Sequence, residues 1–140
     1  MIWVTGDTHG MHDFDKLKYF GWREEGFTRD DHVIVAGDFG AVWWRGSLDE
    51  DLKPYEQLPF TVLFVDGNHE NFDLLDSFPV SMWHGGKVQM IRPNIIHLMR
   101  GQVYVLEGKK IFTFGGATST DRAMRVAGLT WWPREMPSHE

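Results

Sequence analysis

Three short apolar runs in the first 70 residues each lead into a turn that pairs glycine with residues able to bind a metal or move a proton. Ile2-Trp3-Val4-Thr5 runs into Gly6-Asp7-Thr8-His9-Gly10, and His32-Val33-Ile34-Val35-Ala36 into Gly37-Asp38-Phe39-Gly40. Phe60-Thr61-Val62-Leu63-Phe64-Val65 leads to Gly67-Asn68-His69-Glu70. Runs this short, rich in β-branched and aromatic residues, read as buried strands. Asp38 lies 31 residues after Asp7, and Asn68 lies 30 after Asp38. Each interval holds one helix and its links, so the strands are expected to be parallel with right-handed crossovers. In open α/β sheets the loops beyond the carboxyl ends of the strands carry function. All three turns fall there and can converge at one edge.

The intervals support this. Phe14 and Leu17 place a first helix over about His12 to Phe20, ended by Gly21. A second is expected over Ser47 to Leu58, with Ser47 as N-cap, Glu50 as its capping-box partner and Pro54 as a break. Asn71 to Ser77 reads as a short third helix. After Pro79 the pattern changes. Lys87 to Ile91, Asn94 to Leu98, Gln102 to Leu106 and Lys110 to Phe114 read as strands joined by hairpin-length links, hence antiparallel. Gly115-Gly116-Ala117 opens a polar loop, Thr118 to Asp121. The fold class is α/β, and residues 1–140 suit a single domain.

A net charge of −6 argues against nucleic-acid binding through a basic face, leaving nucleic acid only as a substrate. The absence of cysteine excludes disulfides, thiolate zinc sites and cysteine nucleophiles. No apolar stretch approaches the ~20 residues of a membrane span, and the expected location is cytoplasmic.

In an extended turn Asp7 and His9 can point to one side, offering a carboxylate and an imidazole to a divalent cation. Asp38, on the central strand, is placed to bridge two ions. Asn68 adds an amide oxygen, and His69 beside it could protonate a leaving oxygen or stabilise phosphoryl charge. Taken singly, each of these residues reads more simply as a turn, cap or surface residue. Their order and spacing carry the argument.

The set D-x-H, G-D and G-N-H-E resembles the calcineurin-like metallophosphoesterase superfamily over essentially the whole chain. Asn68-His69-Glu70-Asn71-Phe72-Asp73, Gly115-Gly116-Ala117-Thr118-Ser119-Thr120-Asp121 and Trp131-Trp132-Pro133 are similar to one bacterial and phage branch. The resemblance implies an α/β/β/α sandwich around two mixed sheets. It implies a dinuclear centre of Mn²⁺, Fe, Zn²⁺ or similar ions, with Asp7 and His9 on the first ion, Asp38 bridging and Asn68 on the second. A metal-bound hydroxide would attack a phosphomonoester or phosphodiester, assisted by His69. Asn68 and Arg125 are the candidate substrate contacts.

Two departures qualify this. The family's later strand ending in His and its Gly-His-x-His turn supply three more ligands, and nothing here matches them. His12, His32, His84, His97 and His139 take no ligand role. After Gly37-Asp38 the chain reads Phe-Gly-Ala-Val-Trp-Trp, without the Asp-Arg-Gly of Ser/Thr protein phosphatases and dinucleotide tetraphosphatases. Pro137-Ser138-His139-Glu140 looks like a helix start with no helix after it, and Trp131-Trp132 has little chain left to cover it. The expectation is a fold incomplete at its C-terminus, with the second metal site weak or empty and the activity of the chain alone low. The alternative is an inactive remnant acting by binding or self-association, a dimer covering an exposed sheet edge.

Overall fold

The first three apolar runs pair as parallel strands in a computed structural model that describes residues 1–18 and 25–138. These strands are β1 (Ile2–Thr5), β2 (His32–Ala36) and β3 (Thr61–Val65). Ile34 lies between Val4 and Leu63 in the ladder. β2 and β3 are covered on both faces, which is why they read as near-continuous apolar runs rather than alternating ones. The two-residue period divides them. Val33, Val35, Val62 and Phe64 face the helices, against Phe14, Leu17, Leu52, Tyr55, Leu74 and Leu75. Ile34 and Leu63 face the opposite way, toward Tyr104 and Leu106.

The described residues include the α-helices α1 (Asp15–Lys18), α2 (Leu48–Glu56) and α3 (Phe72–Asp76). α1 follows a turn at residues 11–14 and is shorter at its start than the sequence suggests; Phe20 and the stop at Gly21 lie outside the described residues. Pro54 does not break α2. Ser47 does not cap α2 with its side chain, because its hydroxyl bonds the Asp51 carboxylate at 2.7 Å instead. The cap of α3 is Asn71, whose side chain accepts from the Leu74 N–H at 3.0 Å.

The remaining strands are β4 (Val80–Trp83), β5 (Gly86–Arg92), β6 (Ile95–Leu98), β7 (Gln102–Leu106) and β8 (Lys109–Thr113). Six of the eight form one mixed sheet in the order β1-β2-β3-β6-β5-β4, with β6 parallel to β3 and antiparallel to β5. β4 has no clear sequence signal, because it is an edge strand with Val80 and Met82 in solvent. β6 and β7 do not form the hairpin expected from Arg100-Gly101. Both edges of β6 are already taken by β3 and β5, so the chain crosses to a second sheet, the antiparallel pair β7–β8.

The result is three layers: helices, the six-stranded sheet and the β7–β8 pair. Three of the four layers of the α/β/β/α sandwich are thus present among the described residues. The outer side of the pair exposes Val103, Val105 and Phe112. Near the C-terminus the expected exposure of both tryptophans is corrected. Trp132 is buried, packs edge-on to Trp43 and donates its indole N–H to Asp73 at 2.7 Å. Trp131 is half-buried beneath the Arg122 guanidinium. Pro137 and Ser138 start no helix; His139 and Glu140 lie outside the described residues.

Asp66, just past β3, joins the strands under the carboxyl edge. Its carboxylate accepts from His97 Nε2 on β6 at 3.1 Å and from Arg100 Nε at 2.8 Å. His97 Nδ1 reaches Gln89 Oε1 on β5 at 2.8 Å. Burial by itself raises the Asp66 carboxyl, but His97 and Arg100 outweigh it and hold the group below the ordinary value. A depressed carboxylate stabilises the fold above its unfolded pKa and stops doing so as pH falls through the folded one. Asp66→Asn is therefore expected to lose on the order of 3 kcal/mol at pH 7. The gap to wild type should begin to narrow in urea titrations below about pH 4, where the unfolded carboxyl takes up its proton, and close only below the depressed pKa of the folded group.

Candidate metal centre

Beyond the sheet edge the turns are stitched to one another. The Asp7 N–H donates to Gly37 O at 3.2 Å, His9 N–H to Asp38 O at 2.9 Å and Gly10 N–H to Phe39 O at 2.8 Å. Thr8 Oγ1 adds a bond to Phe39 O at 3.1 Å. The third turn joins the second through side chains. His69 N–H donates to Asp38 Oδ1 at 3.0 Å. The buried Glu70 carboxylate accepts from the N–H groups of Phe39 (2.8 Å), Gly40 (3.1 Å) and Gly67 (3.4 Å). Burial pushes the Glu70 carboxyl up to about 8 against the pull of these donors. From the helix side, the Tyr55 hydroxyl donates to Gly10 O.

This stitching brings ligand atoms of Asp7, His9 and Asp38 within 4.8 Å of one another. His9 Nε2 is 3.6 Å from Asp38 Oδ2. Among the described residues five non-glycines take positive φ, and three of the five are Asp7 (52°), His9 (45°) and Asp38 (48°). Side chains other than glycine rarely occupy this left-handed region, and such strain gathers at functional sites. Two carboxylates and an imidazole held this close offer the hard and borderline donors that suit a divalent cation.

Asn68 lines, with Asp7 and Asp38, a cleft of about 480 Å³ that also touches Val4, Ile34 and Phe114. The His69 ring lies edge-on to His9 with centroids 4.8 Å apart. Burial lowers the His69 imidazole below its ordinary pKa; Asp38 opposes this, while Arg125 and His9 add to it. Arg125 Nη2 donates to His69 Nε2 at 3.0 Å, and Arg125 Nε is held by Asp121 at 2.9 Å. A guanidinium is always protonated, so the ring nitrogen is the acceptor. All six residues singled out in the sequence thus gather at one edge: Asp7, His9 and Asp38 directly, and Asn68, His69 and Arg125 around them. His12, given no ligand role from the sequence, borders a smaller cavity with His9, Trp43 and His69. No spacing rule signals the part played by Glu70, which collects N–H groups from the second and third turns. Trp44 is exposed.

The calcineurin-like phosphoesterase family model matches residues 1–139, and the chain belongs to that family. Neither a curated protein nor a solved structure matches it.

Gly67 tests how closely the second and third turns approach. A Cβ there would lie 2.0 Å from Asp38 Oδ1 and 2.5 Å from the Asp38 backbone nitrogen. Gly67→Ala must therefore displace Asp38. It is expected to cost about 1–3 kcal/mol in urea unfolding and to abolish Mn²⁺ uptake in calorimetric titration.

Proposed function

We propose that the protein hydrolyses phosphoesters at a two-metal centre, with one ion held by Asp7, His9 and Asp38 and a second by Asp38 and Asn68. The observation that carries this reading is the convergence of the Asp7, His9 and Asp38 ligand atoms from two separate turns held in left-handed backbone. The ions, when bound, supply Lewis-acid polarisation of the phosphoryl group and an activated water. Among the described residues Asn68 is the one unshared ligand offered to the second ion, which makes that ion the weaker of the two.

The side chains supply the rest. Arg125 presents a fork suited to phosphoryl oxygens, and Asp121 steadies it. His69 is kept neutral by burial and by the adjacent guanidinium; when a phosphoryl group enters, Arg125 turns to its oxygens, and the single N–H of the imidazole, on the nitrogen that does not accept from Arg125, donates to the developing charge. The apolar wall of the cleft, Val4, Ile34 and Phe114, accommodates an ester substituent.

The exposed outer face of β7–β8 favours a second reading, association of two copies through Val103, Val105 and Phe112. A clean monomer in light scattering removes it. Among the described residues no helix is long and apolar enough to cross a membrane.

Hydrolysis of bis-p-nitrophenyl phosphate and p-nitrophenyl phosphate, measured side by side with and without Mn²⁺, tests the proposal. Slow turnover that chelation abolishes is expected. Asp38→Asn should lower it roughly 100-fold or more, the equivalent of ~3 kcal/mol of barrier. Equal turnover with and without metal, or an active Asp38→Asn, sinks the reading.

A further inference from the structure

The Asn68 side chain has two unlike ends: the amide oxygen can ligate a cation and the NH₂ group cannot. Something must choose between them. Asn68 Nδ2 donates to Ser119 Oγ at 3.0 Å. Ser119 Oγ in turn donates to Glu135 Oε2 at 2.5 Å, the separation of a hydroxyl on an ionised carboxylate. Glu135 Oε1 accepts from the Ser119 N–H at 2.8 Å. Ser119 is 2% exposed and Glu135 is 0% exposed.

A serine hydroxyl carries one proton. With that proton committed to Glu135, Ser119 can only accept from Asn68. Asn68 must then turn its NH₂ to Ser119 and its oxygen away, and no donor among the described residues reaches that oxygen. We infer that Ser119 and Glu135 are positioning residues that select the Asn68 orientation offering oxygen, not NH₂, to a divalent cation. This rests on the two-metal reading above. Glu135 is well placed to hold its side: its carbonyl accepts from Arg100 Nη2 at 3.2 Å, and its N–H donates to Trp132 O at 3.0 Å. The run Trp131-Trp132-Pro133-Arg134-Glu135 thereby acts on the centre without touching the ions.

Calorimetric titration of the whole chain with Mn²⁺ tests this. Glu135→Gln has the same shape but can donate to Ser119 Oγ, which frees the serine proton for Asn68 and turns the amide around. Mn²⁺ affinity should fall about 10–100-fold. Asn68→Asp offers two equivalent oxygens and needs no orienting, so in that background Glu135→Gln should leave the affinity unchanged. A purely structural Glu135 would weaken binding in both backgrounds. Equal loss in both, or no loss beside Asn68, overturns the inference. If Glu135→Gln fails to fold, Ser119→Ala in the same two backgrounds decides in the same way.

A wild-type chain that takes up no Mn²⁺ overturns the two-metal reading itself. The metal-free ¹⁵N–¹H resonances of the Asn68 side-chain amide then settle the orientation separately. A shift on Ser119→Ala supports it, and unmoved resonances overturn it.

Discussion

The site depends on backbone groups that leave the sheet and satisfy one another rather than water. Past the ends of β1 and β2, the first two turns continue as an improvised ladder from Asp7–Gly37 to Gly10–Phe39. Asp38 stands at its centre. Its carbonyl takes the His9 N–H and its carboxylate takes the His69 N–H. Two turns thereby fix the third, and the buried Glu70 carboxylate closes the set by collecting three N–H groups from the second and third turns. These bonds accompany the left-handed backbone of Asp7, His9 and Asp38 and hold their ligand atoms together.

The layers behind the edge serve the same end. The helix face of β2 and β3 packs rings against rings: Phe39 stacks on Phe64 with centroids 4.2 Å apart and meets Tyr55 edge-on. This anchors the second turn from below, and the bond from Tyr55 to Gly10 holds the first. From the other side Asp66, His97 and Arg100 tie the end of β3 to β6 and, through Arg100, to the turn that carries Glu135. The edge is therefore braced by aromatic packing on one side and by hydrogen-bonded ionic groups on the other.

Much of this was legible because it rests on local rules. The strands β1 to β3, their parallel pairing and the common edge of Asp7, Asp38 and Asn68 follow from apolar runs, glycines and spacing. β4 was not legible, because an edge strand buries too little to need an apolar pattern. The separation of β7 from β6 was not legible either: a short link suggests a hairpin, and only the occupied edges of β6 forbid one. Trp132 gave a misleading signal, since its cover, Trp43 and Asp73, comes from residues 89 and 59 positions earlier in the chain.

The sequence by itself determined which donors reach the edge of the sheet, because strand order, crossover length and the Gly-containing turns are written in local composition. Only the tertiary structure decided how those donors are aimed. Asn68 shows the difference. Its place in Gly67-Asn68-His69-Glu70 marks it as a ligand candidate, but an amide has two ends. The choice between them is made by Ser119 and Glu135, 51 and 67 residues further along the chain. A proton on a distant hydroxyl can settle that orientation only once folding has brought all three groups together.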